Sequence, residues 1–246
     1  MTEILQYRSM TRFDWTGVAA ALERGRLVAL PTDTVYGIAC KPEPEALARL
    51  FAAKGRAAEK PVALVFPDAQ QVFYDFPPLP AAVTNAVEAL LPGPVTLVVP
   101  FGEKAEGGAC GDAERQEPQR AAGPAAGRQE PQRAAWSAIA RTATGGGVGV
   151  RALPQPAAAL FERLPSPLAL TSANLAGAAD PCSADEIPEG IRQACEYVLD
   201  AGPIDPCRPS TVVDLRPLAA GQPAVILREG AVGRDEIIRE IGLLGA

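Results

Sequence analysis

Short apolar runs alternate along most of the chain with stretches of helical period. RLVAL (26–30), PVALVF (61–66) and VTLVV (95–99) are nearly unbroken apolar segments bounded by turn residues, the pattern of strands buried on both faces. Between them, VAAALERG closes at Gly25, EPEALARLFAAKG closes at Gly55, and AAVTNAVEALL is stopped by Pro92 and Gly93. Asp14 is placed to cap the first of these helices, and Ala46, Leu47, Leu50 and Phe51 fall on one face of the second. Farther along, VGVRA, LALTS, YVLD, STVVDL and AVILRE predict further strands, with helices near 155–164, 183–195 and 234–242. Alternation of this kind predicts an α/β fold: an open, twisted sheet of mixed strand direction with helices packed around it.

Residues 102–147 break the pattern. They are rich in Gly, Ala, Gln, Arg and Pro, and RQEPQRAA occurs at 115–122 and again at 128–135. Apolar content this low cannot offset the entropy of ordering the backbone, and two copies are too few to stack into a solenoid. The expectation is a single domain over 1–246, interrupted by a disordered low-complexity insertion at 102–147. A spacer is the plainer reading of that insertion, and a basic arm touching RNA the alternative.

Composition narrows the chemistry. Hydrophobic residues make up 48% of the chain and charged ones 21%, the balance of a folded soluble domain. A net charge of -6 argues against a surface that coats nucleic acid, while leaving room for a local basic groove. There is no histidine, so imidazole general bases, Ser-His triads and His-ligated metals are excluded. The five cysteines are odd in number and include no C-x-x-C pair, which predicts neither a disulfide framework nor a zinc cage and fits a reducing cytosol. The opening MTEILQYRSMTRFDW is charged where a signal peptide is apolar, and no run approaches the roughly 18 apolar residues of a membrane span. A cytoplasmic protein without a membrane partner is expected.

Several loops hold groups suited to ligands. Lys54 and Arg56 flank a glycine at a helix terminus, where two cations can grip phosphate oxygens or simply complement the helix dipole. Ser172 and Asn174 follow the apolar run LALT at a strand's carboxyl end, where open α/β sheets bind ligands, although Ser and Asn also satisfy their own turns. Thr32 and Thr34 in PTDTVYG are ambiguous in the same way. Arg151, a charge at the end of an apolar strand, needs a partner, and either a carboxylate ligand or an internal Asp would serve. Neither G-x-G-x-x-G nor the P-loop pattern is present.

Read in order, PTDTVYG, KGR, LLPGPVTLVV, VGVR, LTSANLAG with PCSADEI, PSTVVD and ILREG resemble the threonylcarbamoyl-AMP synthase family, YrdC/Sua5. The likeness covers nearly all of the chain outside 102–147 and is closest to the short, single-domain bacterial form. It implies a YrdC-like twisted sheet around a concave, positively charged cavity. It also implies an enzyme that joins L-threonine, bicarbonate or CO2, and ATP into threonylcarbamoyl-AMP and pyrophosphate for modification of tRNA adenosine 37. Mg2+ accompanying ATP, contact with tRNA and downstream transferase proteins that take up the product are further implications.

By the same resemblance, Arg56 with Lys54 meets the ATP phosphates, Lys60 adds a contact, and Arg228 is a further ATP-contacting arginine. Ser172 and Asn174 match the positions at the nucleotide and reaction centre, so Lys54, Arg56, Ser172 and Asn174 are the expected catalytic set. Thr34, Arg151 and Ser210 match threonine-holding positions. Cys182 stands where many relatives carry a nucleotide-contacting Thr and is assigned an auxiliary place at ATP. Ala57 in place of Pro, Val65 in place of His and Gly147 in place of Thr are departures from the family pattern. A non-catalytic RNA-binding paralogue is the alternative function, and a carbamoyl-handling relative a third, though such domains normally sit within longer chains.

Overall fold

The computed structural model of the chain describes residues 2–55, 62–76, 78–101, 146–154, 164 and 167–242. All of the predicted helix near 155–164 except Leu164, and all but the last two residues of the expected insertion, lie outside this set, and those two, Gly146 and Gly147, lead into a strand. Ten strands form one sheet: β1 (Glu3–Gln6), β2 (Leu27–Leu30), β3 (Gly37–Cys40), β4 (Ala63–Phe66), β5 (Val95–Pro100), β6 (Gly147–Ala152), β7 (Leu168–Ser172), β8 (Cys195–Asp200), β9 (Thr211–Asp214) and β10 (Val225–Arg228). Their order is β1-β8-β2-β3-β7-β4-β6-β5-β9-β10. The β1–β8, β8–β2, β4–β6 and β5–β9 pairs are parallel and the others antiparallel, so the sheet is mixed, as expected.

The helices are α1 (Arg12–Glu23), α2 (Pro44–Ala53), α3 (Ala69–Asp75), α4 (Ala81–Leu90), α5 (Glu189–Ala194) and α6 (Arg234–Ile241) among the described residues. Two boundaries correct the sequence reading. α1 starts earlier than expected, because Thr11 is its N-cap and Asp14 is the reciprocal member of a capping box. α5 is much shorter than 183–195: Pro188 is its N-cap, and a proline disfavours helical backbone in the residue before it.

Strand side chains alternate between two cores, as the period of two demands. Leu27, Ala29, Ile38, Leu64, Phe66, Leu97, Val99, Val148, Val150 and Val213 face a large core shared with α2, α4, α5 and α6. Val28, Leu30, Ala39, Val65, Leu168, Leu170 and Leu199 face a smaller one closed by Val18 and Leu22 of α1. α1 covers only part of that second face. On the same face, Ala63 of β4, Gly149 of β6, Val98 of β5 and Val212 of β9 are left to the candidate site.

Candidate active site

Residues of opposite parity to the large core floor a cavity of about 420 Å³, within the size range of small-molecule sites. One paired row crosses four strands: Leu170 opposite Ala63, Ala63 opposite Gly149, and Gly149 opposite Val98. All four line the cavity. Gly37 and Gly149 keep the floor low. A Cβ on Gly37 would lie 2.8 Å from Leu170 Cδ1, and one on Gly149 would lie 3.2 Å from Thr96 Cγ2.

PTDTVYG forms the connection between β2 and β3 and supplies one wall. Thr32 Oγ1 accepts from the N–H groups of Thr34 (3.1 Å) and Val35 (3.2 Å) and donates to Val35 O (2.7 Å), fixing a tight turn. Tyr36 anchors the loop from below. Its N–H donates to Pro181 O, its carbonyl accepts from Ala173 N–H, and its hydroxyl donates to Gly202 O while accepting from Ala201 N–H. One fully buried tyrosine thus ties the segments at Ala173, Pro181 and Ala201–Gly202 together.

Arg151 rises from β6 into the cavity, and of the two partners open to it from sequence the structure supplies the internal acid. Its Nη2 donates to Asp33 Oδ1 at 2.6 Å, and Thr34 Oγ1 lies 3.4 and 3.5 Å from Nη2 and Nη1. Both members of the pair have side chains only 8% exposed. Burial pushes the Asp33 carboxyl up, against the pull of the Arg151 charge. Burial likewise lowers the Arg151 guanidinium, Asp33 opposes that, and the like charge of Arg228 adds to it. Arginine starts so far above neutrality that Arg151 keeps its charge, and the 2.6 Å contact pairs it with the Asp33 carboxylate. Asp33 Oδ2 and Arg151 Nε have no hydrogen-bond partner among the described residues.

The opposite wall is built by β9, β10 and the segment after it. Arg228 donates from Nη2 and Nε to Ser210 O at 2.8 and 3.2 Å and from Nη2 to Ser210 Oγ at 3.2 Å. Ser210 Oγ also shares a 2.8 Å hydrogen bond with Thr96 Oγ1. Gly230 lets the chain pass tightly over this point, because a Cβ there would run into Pro209 O and the Ser210 carbonyl. Thr211 Oγ1 then accepts from Gly230 and Val232 N–H at 2.9 and 3.0 Å, pinning the segment.

Ser172, at the end of β7, also lines the cavity, and its Oγ donates to Asn174 Oδ1 at 2.7 Å. Asn174 Nδ2 donates to Ala178 O at 2.6 Å. Lys54, 1% exposed, donates from Nζ to Ser172 O and, at 3.0 Å, to Asn174 Oδ1. Lys54 and the Ser-x-Asn turn are therefore one cluster.

Thr34, Arg151, Ser172, Ser210 and Arg228 thus converge on one cavity. Arg56 and Lys60 lie outside the described residues. The expectation that no cysteines pair is corrected: Cys182 and Cys207 form a disulfide, with Cα atoms 5.5 Å apart. The loops that carry them are drawn together partly by the Ile204 N–H donating to Cys182 O, a contact no sequence spacing reveals. Sequence reasoning also passed over Thr96, Asp180 and Leu227 as lining groups, and Asp33 as the partner of Arg151. The signal for Asp33 was its place in PTDTVYG beside a threonine already singled out.

Residues 20–110 and 131–230 match the Sua5–YciO–YrdC family model, described as "Telomere recombination". The chain belongs to this family. Among Sua5–YciO–YrdC relatives, it is 30% identical to the threonylcarbamoyl-AMP synthase of Pyrococcus abyssi over 249 residues, covering 98% of this chain and 62% of that protein. It is 32% identical to the Bos taurus threonylcarbamoyl-AMP synthase, covering 95% of this chain and 76% of the other. The chain thus spans less than two thirds of the Pyrococcus protein. A solved structure of P. abyssi Sua5 complexed with L-threonine superposes with a TM-score of 0.74 at 27% identity, over 99% of this chain and 62% of that one. Escherichia coli YciO, at 16% identity and a TM-score of 0.67 over 96% of this chain and 98% of its own, shares the fold.

Proposed function

We propose that the chain is an L-threonylcarbamoyladenylate synthase, joining L-threonine, bicarbonate or CO2, and ATP into threonylcarbamoyl-AMP and pyrophosphate, a product passed to transferase proteins that modify tRNA adenosine 37. The observation that carries this reading is a single cavity with two differently prepared arginines: Arg151 paired with Asp33, and Arg228 braced on neutral oxygens of Ser210. The named relatives, and the P. abyssi structure with L-threonine, support an amino acid in that cavity.

The threonine carboxylate takes hydrogen bonds from Arg151, with Thr34 and Ser210 as the other polar contacts on that side. ATP takes Ser172, Asn174 and Arg228, with Arg56 and Lys60 on the triphosphate. The Cys182 sulfur is bound in its disulfide, its N–H donates to Glu186 Oε2 and its carbonyl accepts from Ile204 N–H, so the auxiliary place at ATP expected for Cys182 is not kept in this reading. Threonine's amino group adds to CO2 and loses a proton to give a carbamate. A carbamate oxygen then attacks the α-phosphorus of ATP, and the bond to pyrophosphate breaks. No imidazole is needed, because positioning and charge neutralisation supply most of the rate in such transfers. Mg2+, where present, enters with ATP and is ligated by its phosphates.

Pyrophosphate release from ATP by the purified chain tests the proposal. Release that requires both threonine and bicarbonate, with serine a poorer substrate, is expected. ATP consumption indifferent to either co-substrate, or none at all, as for a non-catalytic RNA-binding paralogue, overturns it.

A further inference from the structure

Among the described residues, two cationic side chains face one cavity that, on the function proposed above, must hold two anions of very different charge. A polyphosphate carries several negative charges, whereas an amino acid offers one carboxylate balanced by its own ammonium. Coulomb attraction scales with charge, so a bare guanidinium on the amino-acid side would draw phosphate in preference to carboxylate. The two arginines are not equivalent. Arg151 is buried and bonded at 2.6 Å to Asp33, itself buried, so that side carries no net charge. Arg228 is exposed, and among the described residues no carboxylate pairs with it; its guanidinium donates only to the carbonyl and hydroxyl of Ser210. Among the described residues, the other charged group lining the cavity is Asp180.

We propose that Asp33 is a specificity-determining residue that cancels the charge of Arg151, so that the amino-acid side reads a carboxylate by hydrogen-bond geometry while phosphate is drawn to Arg228. Asp33 acts through Arg151 and is not among the cavity-lining residues. Its position is fixed by the turn that Thr32 organises, and the guanidinium is held between Asp33 and Thr34. Without Asp33, the only side-chain contacts left to Arg151 among these are the long ones to Thr34, and a buried unpaired cation recruits whichever anion is most highly charged.

Calorimetric titration of the full chain with L-threonine and with inorganic pyrophosphate, separately and together, tests this without relying on turnover. In the wild type the two should bind side by side, with the threonine Kd changing less than twofold at saturating pyrophosphate. Asp33→Asn, nearly isosteric but uncharged, should bind pyrophosphate at least tenfold more tightly, and pyrophosphate should now displace threonine. Asp33→Glu, which keeps the charge, should restore most of the sorting. The double variant Asp33→Asn/Arg151→Gln, neutral at both positions, should return pyrophosphate to its wild-type affinity, and it serves where Asp33→Asn does not fold. A folded Asp33→Asn with wild-type pyrophosphate affinity and no competition overturns the inference, as does tight pyrophosphate binding that persists in the double variant. Mutual exclusion of the two ligands in the wild type does so as well. If the wild type binds threonine and only the variants behave otherwise than expected, the synthase reading stands; if it binds pyrophosphate but no threonine, both fall.

Discussion

Lys54→Met isolates the cluster that joins α2 to the Ser172–Asn174 turn. Methionine nearly fills the volume of the lysine stem but cannot donate to Ser172 O or Asn174 Oδ1, which the Lys54 ammonium now bonds. Hydrogen bonds from a charged group contribute about 1.5–3 kcal/mol each. Two of them, less the relief of no longer burying a charge, give a net loss of about 3 kcal/mol. For a chain of this size that corresponds to a fall in melting temperature of roughly 6–12 °C. Because Asn174 Oδ1 is the shared acceptor, Asn174→Ala and Lys54→Met should be strongly non-additive, the double variant costing clearly less than the sum. Thermal unfolding by circular dichroism gives the stabilities, and pyrophosphate release gives the effect on turnover, which should fall more than tenfold as the turn loosens. A Lys54→Met protein that melts within about 1 °C of wild type and turns over normally would refute the reasoning.

Two other outcomes follow from the loops around the cavity. The Cys182–Cys207 disulfide closes a separation of 25 residues, for which chain entropy gives about 3–4 kcal/mol. Urea unfolding in a dithiol reductant should therefore shift to a lower midpoint, and Cys182→Ser should match the reduced wild type and respond no further to reductant. Burial pushes the Tyr36 hydroxyl up from 10.0 to about 12, so its contribution to stability is intact below pH 10 and is lost as pH rises toward 12. Melting curves across that window should show the loss in wild type, and Tyr36→Phe, less stable at neutral pH, should lack that arm.

Most of the sheet was legible because its strands are continuous apolar runs whose alternate residues feed two cores. Leu27–Leu30 and Leu64–Phe66 have no other way to hide every side chain. What was missed lacked that signal. Glu3–Gln6 is a largely exposed edge strand, and Gly37–Cys40 is a short run following a threonine-rich turn. Ala69–Asp75 opens with Ala-Gln-Gln and owes its start to a cap in which Asp68 accepts from Gln71 N–H. The site was legible residue by residue but not in its internal pairings. That an internal acid could partner Arg151 was visible, yet which acid depended on how the turn after β2 places Asp33 against β6. The pairing of Cys182 with Cys207 and the seating of Lys54 on the Ser-x-Asn turn are likewise long-range facts, spanning 25 and about 120 residues of chain.

The most direct measurement is the identity of the product. Purified chain incubated with ATP, L-threonine and carbon-labelled bicarbonate should yield, by mass spectrometry, an adenylate that contains threonine and the bicarbonate carbon. An adenylate without the label, or ATP cleaved with no threonine-containing adenylate formed, would contradict the assignment of this cavity to threonylcarbamoyl-AMP synthesis.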